Sequence, residues 1–335
     1  MLTTTLPNGP VPPGSHGPTV SGPARTDEST PFRTHPPAGA TRFTLTQAAV
    51  AVPTAAPAPA VKRRFHWRSF RPGLLLASLF VILLIVAATV PGWLVPGDPL
   101  QSNARQAFRE PSLSHIFGTD ENGRDVFVRI VYGARTSLFV GISASVVSLV
   151  MGVTVGLLAG LGHRYLDSTL MRGVDVLLAF PDILLALLII TFWGPGVINA
   201  LVAIGVASIP RYARLARAQA HLVSRSSYVE AATALGQSRF TIIVRHILPN
   251  AIKPVLVLAL IGIGGKISQG AGLSFLGLGI PPPTPEWGAM LSTGREYLIN
   301  APWLTIIPGL ALTFTVLSVS TLGREVMRRS EGKSA

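Results

Sequence analysis

Six apolar windows, each close to the length needed to cross a membrane, restrict the fold of this 335-residue chain more than any other feature. An α-helix rises about 1.5 Å per residue, so about 20 apolar residues span about 30 Å of hydrocarbon. The windows are residues 74–95, 137–161, 174–193, 196–213, 254–279 and 303–322, the fourth being shortened by Pro210 and Arg211. The sequence therefore predicts an all-α integral membrane protein with six transmembrane helices.

The composition agrees with a membrane protein and excludes one class of chemistry. Hydrophobic residues make up 48% of the chain and charged residues 13%, well to the apolar side of an ordinary soluble domain. The chain contains no cysteine. Disulfides, thiolate metal sites and cysteine nucleophiles are therefore excluded.

The basic residues predict how the chain is oriented. Cytoplasmic segments retain Lys and Arg, and such residues cluster before the first window and within residues 162–173, 211–253 and 323–335. In residues 97–135 the basic side chains are matched by acidic ones. We therefore expect both termini in the cytoplasm. The topology explains the net charge of +13. The basic residues lie between long apolar runs and not on one face with base-stacking aromatics, so we expect no nucleic-acid partner.

The chain divides into segments of different character. Residues 1–60 are rich in Pro, Ala and Thr, which predicts a disordered cytoplasmic tail. We expect no signal peptide there, because no continuous apolar run follows a basic start early in the chain. We expect a basic juxtamembrane segment with the first transmembrane helix at 61–96 and an extracytoplasmic loop at 97–135. A transmembrane core at 136–322 then contains a cytoplasmic loop at 211–253, and 323–335 forms a cytoplasmic tail.

The cytoplasmic loop contains a predicted helical hairpin. Ser227 and Glu230 have the Ser-x-x-Glu spacing of a capping box, so a helix is expected to begin at about Ser227. Gly236 stands where a left-handed terminating residue is expected. Ser238 is placed to cap a second helix, and Pro249 is expected to end it.

A helix of two turns is marginal in water, so the hairpin must pack against something. One possibility is a partner protein. The other is the chain's own span ends, with Glu230 serving only as a cap.

The hairpin resembles the EAA motif of ABC importer permeases, in which the short helix is the coupling helix that inserts into a groove of the cytoplasmic ATPase. The matching residues are Glu230, Ala231, Ala232, Gly236, Leu248 and Pro249. The resemblance implies that these residues, with Leu235, couple the chain to an ATPase. The general motif has Ile where this chain has His246, and "RHILPN" is similar to the peptide and nickel branch of the family.

Other segments are similar to the same branch, and the resemblance covers about residues 62–322. "FGTDENGRDVFVRIVYGARTSL" at 117–138, "LSFLGLG" at 273–279 and "PEWGAML" at 285–291 carry it. Two departures are the residues after the last window and Gly270, where the family often has Glu. The resemblance implies a type I importer fold in the cytoplasmic membrane of a prokaryote.

The resemblance also implies a function and a set of partners. It implies a peptide permease that pairs with a homologous permease, two ATP-binding subunits and an extracytoplasmic substrate-binding protein. The chain has no Walker loop and no catalytic set, so we expect no cofactor and ATP hydrolysis in a partner. A nickel or other small-solute importer, an ATP-independent transporter or channel, and a membrane scaffold remain alternatives. An ATP-independent transporter would need related halves or mid-membrane carboxylates.

Ionisable residues inside the windows need a reason, because each is costly in hydrocarbon. Lys266 is a candidate for the translocation path, where it would meet a peptide carboxylate; the alternatives are snorkelling or pairing with a neighbouring subunit. Asp182 follows Pro181 and is either a path residue or a group that satisfies the disturbed turn. Asp175 is expected to pair with Arg172 or Arg211.

The extracytoplasmic loop contains the charged sequence "DENGRD". Asp120, Arg124 and Asp125 are expected to form a self-neutralised turn that docks a binding protein. A metal site formed by Asp120, Glu121 and Asp125 is the less favoured alternative, so no metal is predicted.

Overall fold

The computed structural model describes residues 72–330. The predictions for the tail at 1–60, the basic residues before 72 and the last five residues lie outside this range. Within it, the regular elements are helices, together with one isolated antiparallel bridge between Thr119 and Asp125. The predicted all-α class is confirmed for the described part of the chain.

The helices follow the apolar windows, with several short helices between them. They are α1 (Pro72–Thr89), α2 (Pro91–Leu94), α3 (Val126–Leu161), α4 (Arg164–Leu178), α5 (Asp182–Trp193), α6 (Val197–Ser224), α7 (Ser227–Ala234), α8 (Arg239–Ile242), α9 (Leu248–Phe275), α10 (Trp287–Gly294) and α11 (Trp303–Ser330). Short 3₁₀ turns occur at Ala104–Gln106 and Arg295–Tyr297, and a π-helical turn occurs at Ile243–Ile247.

Within residues 72–330, four stretches of helix are long and apolar enough to cross a membrane. They are α1, α3, the continuous stretch from Arg239 to Phe275, and α11. The helices α4 and α5 provide a fifth crossing if taken as one span, but they meet at an angle of 92°. The predicted third window is therefore not one straight helix, because α4 ends before Pro181, which has no amide hydrogen to continue it.

Helix α6 covers the fourth predicted window but is more polar than the others. It extends to Ser224 and carries Arg211, Arg214 and Arg217 in its second half. Because of these charges, α6 is not among the helices that are apolar enough to count as membrane crossings. The count of six spans therefore stays a prediction.

The prediction that Pro249 ends the second hairpin helix was wrong. The helix continues through a π turn, in which the amide of Leu248 donates to the carbonyl of Ile243, five residues earlier. The side-chain amide of Asn250 donates to the carbonyl of His246 at 2.8 Å, satisfying an acceptor near the proline. The wider turn accommodates the ring of Pro249 within a continuous helical stretch.

Close contact between α3 and α6 fixes the depth of residues on α6. A Cβ added to Gly152 would lie 2.5 Å from Tyr212 Cβ, one on Gly156 2.5 Å from the carbonyl oxygen of Ala213, and one on Gly160 2.9 Å from Ala220 Cβ. Glycines spaced four apart let the two backbones approach closely. Tyr212 is therefore level with Gly152, well inside the apolar part of α3.

Candidate functional site

The hairpin at residues 227–247 begins at Ser227 as predicted, but the residue in the cap position is Ser226. Ser226 precedes α7 and its hydroxyl donates to the carbonyl of Val223 at 2.6 Å, so no side chain caps the helix. Ser227 is the first helical residue. The predicted capping box of Ser227 and Glu230 was wrong, and the Glu230 side chain is exposed with no hydrogen-bond or ion-pair partner among the described residues.

The turn of the hairpin has the predicted chemistry. Gly236 has φ of +76°, the left-handed conformation that favours glycine. Ser238 then caps α8, its hydroxyl oxygen accepting from the amide of Thr241 at 3.2 Å. Both predictions are confirmed.

One face of the hairpin packs on the chain's own span ends. Val229 and Ala232 of α7 share a buried cluster with Ile242, Ile247 and Ala251, which also contacts the end of α3. A guanidinium N–H of Arg239 donates to the carbonyl of Leu161 at 2.6 Å. These contacts hold the short helix in place without a partner protein.

The opposite face is apolar and uncovered. Leu235 is 81% exposed and Phe240 76% exposed. Tyr228, Ala231 and Val244 are also exposed, and we call these five residues the open hairpin face. Leu248 is partly buried, whereas Pro249 is exposed and lines a shallow depression with Phe240 and Val244. Packing on the chain's own span ends is therefore observed for one face of the hairpin, and packing against a partner protein stays a prediction for the other.

Lys266 is buried inside the chain. Its ammonium donates to the hydroxyl of Tyr212 on α6 at 2.8 Å. A Cβ on Gly262 would lie 2.8 Å from that hydroxyl, so the pair fills the space between α6 and α9. The partner is a phenol on the same chain rather than a carboxylate, and a role for Lys266 in the path stays a prediction.

Three ion pairs join the bent helices α4 and α5 to α6. Arg217 holds Asp167 through two hydrogen bonds of 2.6 Å, Arg214 meets Asp175 at 2.6 Å, and Arg211 meets Asp182 at 3.0 Å. The prediction that Asp175 pairs with Arg172 or Arg211 was therefore wrong. The spacing of three residues between the arginines was a signal that the sequence offered, because such residues follow one side of a helix.

The charged segment at residues 120–125 is a closed turn, as predicted. The Asp120 carboxylate accepts from the Arg124 guanidinium at 2.6 Å and from the amides of Asn122 and Arg124, both at 2.9 Å. Asp125 accepts from the amide of Val128 at 3.1 Å and so caps α3. Asp120 and Arg124 are buried. No group of three or more candidate metal-binding side chains occurs in residues 72–330.

Glu286 is a buried acid that the sequence reasoning missed. Its carboxylate accepts from the amides of Gly288 at 2.9 Å and Ala289 at 2.8 Å, and from the hydroxyl of Ser137 at 3.2 Å. Burial raises the pKa of the Glu286 carboxyl, although these donors act in the opposite direction. The contact ties α10 to α3. The available signal was an acidic residue directly before the helical segment that begins at Trp287, because a negative charge is favourable at a helix N-terminus.

A bundle of several apolar helices, together with a hairpin that leaves one face uncovered, defines a multi-pass membrane protein. Comparison with known proteins gives the family. The profile of the binding-protein-dependent transport system inner membrane component family matches residues 152–332. The chain belongs to this family, and as such it is a non-catalytic membrane subunit.

Two relatives and one solved structure illustrate the similarity. A putative peptide transport system permease protein of Brucella abortus is 40% identical over 78% of this chain and 87% of its own length. A glutathione transport system permease protein of Pectobacterium atrosepticum is 42% identical over 78% of this chain and 87% of its own length. An inward-facing structure of the MetNI methionine ABC transporter has a TM-score of 0.50 at 22% identity, covering 60% of this chain and 95% of that chain. This last likeness concerns the fold alone.

Proposed function

We propose that the chain is the permease subunit of an ATP-driven importer that moves di- or oligopeptides across the cytoplasmic membrane. Its partners are a homologous permease, two ATP-binding subunits and an extracytoplasmic substrate-binding protein. The names of the relatives support a peptide substrate, since one is a peptide transport permease and another a glutathione transport permease.

The open hairpin face carries the proposal. Burying a large apolar side chain stabilises a contact by about 1.5–3 kcal/mol, and Leu235 and Phe240 are both left exposed at the end of the span bundle. The other face of the hairpin is already fixed on the bundle, so a partner that moves the open hairpin face also moves the ends of α3 and α9. This arrangement supports docking of an ATP-binding subunit through Glu230, Ala231, Leu235, Gly236 and Pro249, with Ala232 and Leu248 behind them.

The helices support six crossings with both termini in the cytoplasm. The crossings are α1, α3, the α4–α5 pair, α6, the Arg239–Phe275 helix and α11. Helix α6 is included because it follows α3 from Gly205, whose added Cβ would lie 2.8 Å from Val147, to Ala220 beside Gly160. With six crossings, the hairpin lies on the same side as the basic segments 162–173 and 323–335, which supports a cytoplasmic position for all three.

The closed turn at Asp120, Arg124 and Asp125 supports a docking surface for the binding protein on the other side. An open cleft of about 420 Å³ lies beside it, lined by residues that include Glu121, Asn122, Arg129 and Thr293. Because Asp120 and Arg124 are internal to the turn, their role is to present the exposed part of the loop.

Co-purification of the ATP-binding subunits tests the proposal. Leu235→Asp or Phe240→Asp is expected to abolish recovery of these subunits with the membrane subunit, because a carboxylate then lies in an apolar contact. Leu113→Asp is the matched control, since Leu113 is fully exposed in the extracytoplasmic loop. Equal recovery with all three variants contradicts docking at the hairpin.

Uptake measurements test the substrate. Binding-protein-dependent and ATP-dependent uptake of dipeptides and oligopeptides is expected, and nickel serves as the competing substrate. ATP-dependent uptake of nickel without peptide uptake contradicts the peptide assignment, and peptide uptake without ATP contradicts the importer class.

A further inference from the structure

Arg211 is a charged residue at membrane depth with an open side. The adjacent Tyr212 is packed between Gly152 of α3 and Gly262 of α9, and both helices are apolar crossings. At about 1.5 Å per residue, Arg211 lies about 21 Å along α6 from Val197. It is therefore inside the bilayer region rather than at the cytoplasmic end of the helix.

The open side of Arg211 does not suit lipid. The side chain is 63% exposed, and an arginine facing hydrocarbon is disfavoured by about 2.5–3.5 kcal/mol on insertion scales. Charged residues at such depth face a water-filled cavity or a partner in the bundle. We therefore place this side of α6 on the translocation path.

The three ion pairs between α4–α5 and α6 differ in how completely they satisfy their arginines. Arg217 is 37% exposed and holds Asp167 with two nitrogens, as a structural pair does. Arg211 and Arg214 each donate a single hydrogen bond, to Asp182 at 3.0 Å and to Asp175 at 2.6 Å. Of these two, Arg211 lies farther from the hairpin end of α6. A guanidinium has five N–H donors, so most of those of Arg211 have no partner among the described residues.

Asp182 adds a negative group at the same point. It is the first residue of α5, directly after Pro181, and its side chain is 25% exposed. The pair therefore presents a guanidinium and a carboxylate side by side to the path. A peptide with free termini carries the complementary groups, an α-carboxylate and an α-ammonium.

From this arrangement we infer that Arg211 binds the α-carboxylate of the passing peptide and Asp182 binds its α-ammonium. The inference rests on the proposed peptide importer and names the residues by which the membrane subunit itself selects its substrate. The ion pair opens when a peptide enters and closes again when the peptide leaves, so neither charge is left alone in the membrane.

The test uses the assembled transporter with its ATP-binding subunits and binding protein in proteoliposomes. Uptake of dialanine is compared with uptake of dialanine amide and of N-acetyl-dialanine. The binding protein contributes the same preference in every variant, so a change in the uptake ratio relative to the unmodified transporter isolates the membrane subunit.

Arg211→Gln is expected to lower the ratio of dialanine to dialanine amide by about tenfold, the size expected for loss of one charge-assisted hydrogen bond. Arg211→Lys restores part of the ratio because it keeps the charge. Asp182→Asn lowers the ratio of dialanine to N-acetyl-dialanine. Arg329→Gln is the matched control, because Arg329 pairs with Glu325 at 3.1 Å near the end of α11.

Two results overturn the inference, and they are distinguishable. If the unmodified transporter takes up dialanine with ATP and Arg211→Gln and Asp182→Asn leave both ratios unchanged, the inference fails while the proposed function stands. If the unmodified transporter takes up no peptide, both fail. Should Arg211→Gln not assemble, unchanged ratios in Arg211→Lys and Asp182→Asn overturn the inference equally well.

Discussion

The ammonium of Lys266 donates a 2.8 Å hydrogen bond to the hydroxyl of Tyr212, and both side chains are buried. Lys266 belongs to α9 and Tyr212 to α6, while Gly152 of α3 lies against the Cβ of Tyr212. Three helices therefore meet at this polar contact, next to the ion pair of Arg211 and Asp182. We expect these helices to move as one body when the hairpin is displaced.

Loss of the Tyr212 hydroxyl is expected to destabilise the bundle. Tyr212→Phe leaves the buried ammonium without its acceptor, at a cost of about 1–3 kcal/mol or more for a charged group. The double variant Tyr212→Phe/Lys266→Met removes both polar groups and is expected to be more stable than Tyr212→Phe alone. Thermal unfolding of the detergent-solubilised protein measures both. A double variant less stable than the single one argues against the contact.

Close packing of α3 on α6 gives a second prediction. A Cβ on Gly156 would lie 2.5 Å from the carbonyl oxygen of Ala213 and 2.6 Å from Ala216 Cβ, so Gly156→Ala forces the helices apart and is expected to destabilise by about 1–3 kcal/mol. Gly265→Ala, where nothing lies within 4 Å, is the control and is expected to be neutral or stabilising. Thermal unfolding of the two variants measures the difference in stability. Equal effects of the two substitutions contradict close packing of α3 on α6 at Gly156.

Features that depend on near neighbours in sequence could be predicted, and the hairpin shows the limit of this. The left-handed Gly236 and the Ser238 cap follow from rules that act over two to four residues. The same kind of rule predicted the start of α7 at Ser227 but assigned it a capping box that does not form. It also failed at Pro249, because a π turn outside the usual helix pattern accommodates the ring.

Features that depend on distant parts of the chain could not be predicted. The partner of Asp175 is Arg214, 39 residues away, on a helix that the sequence alone does not place beside α4. Lys266 finds Tyr212 across 54 residues because glycines on α3 and α9 leave room for the phenol. The apolar windows predict helices but do not determine which faces meet.

Glu286 gives a prediction about pH. Burial raises the pKa of its carboxyl above the ordinary value of 4.5, so the folded protein binds this proton more tightly than the unfolded chain does. The stability contributed by the protonated group is present at low pH and is lost as the pH rises from about 4.5 through the raised folded-state pKa.

The variant Glu286→Gln cannot titrate at this position and keeps one acceptor for the amides of α10. The stability of the unmodified protein relative to Glu286→Gln is therefore expected to fall as the pH rises. The difference in unfolding temperature between the two proteins tests this. It is measured from about pH 4, near the ordinary carboxyl pKa, to about pH 8. A difference that is constant or rises with pH shows that the buried carboxyl is not held in its protonated form.

Gly236 gives a prediction about the proposed coupling of the hairpin to transport. Its φ of +76° disfavours a residue with a branched side chain, while nothing lies within 4 Å of an added Cβ, so Gly236→Val acts on the turn and not through a clash. The strain is about 1–2 kcal/mol, equivalent to about a tenfold change in a docking equilibrium. We expect ATP-driven uptake to fall by about this factor while the amount of inserted protein stays unchanged.

Gly236→Asn should retain more uptake, because asparagine tolerates the left-handed conformation. Gly173→Val is the control, since Gly173 also has open space around it but lies within α4. Uptake that falls equally in Gly173→Val and Gly236→Val, or in neither, contradicts a coupling role for the turn.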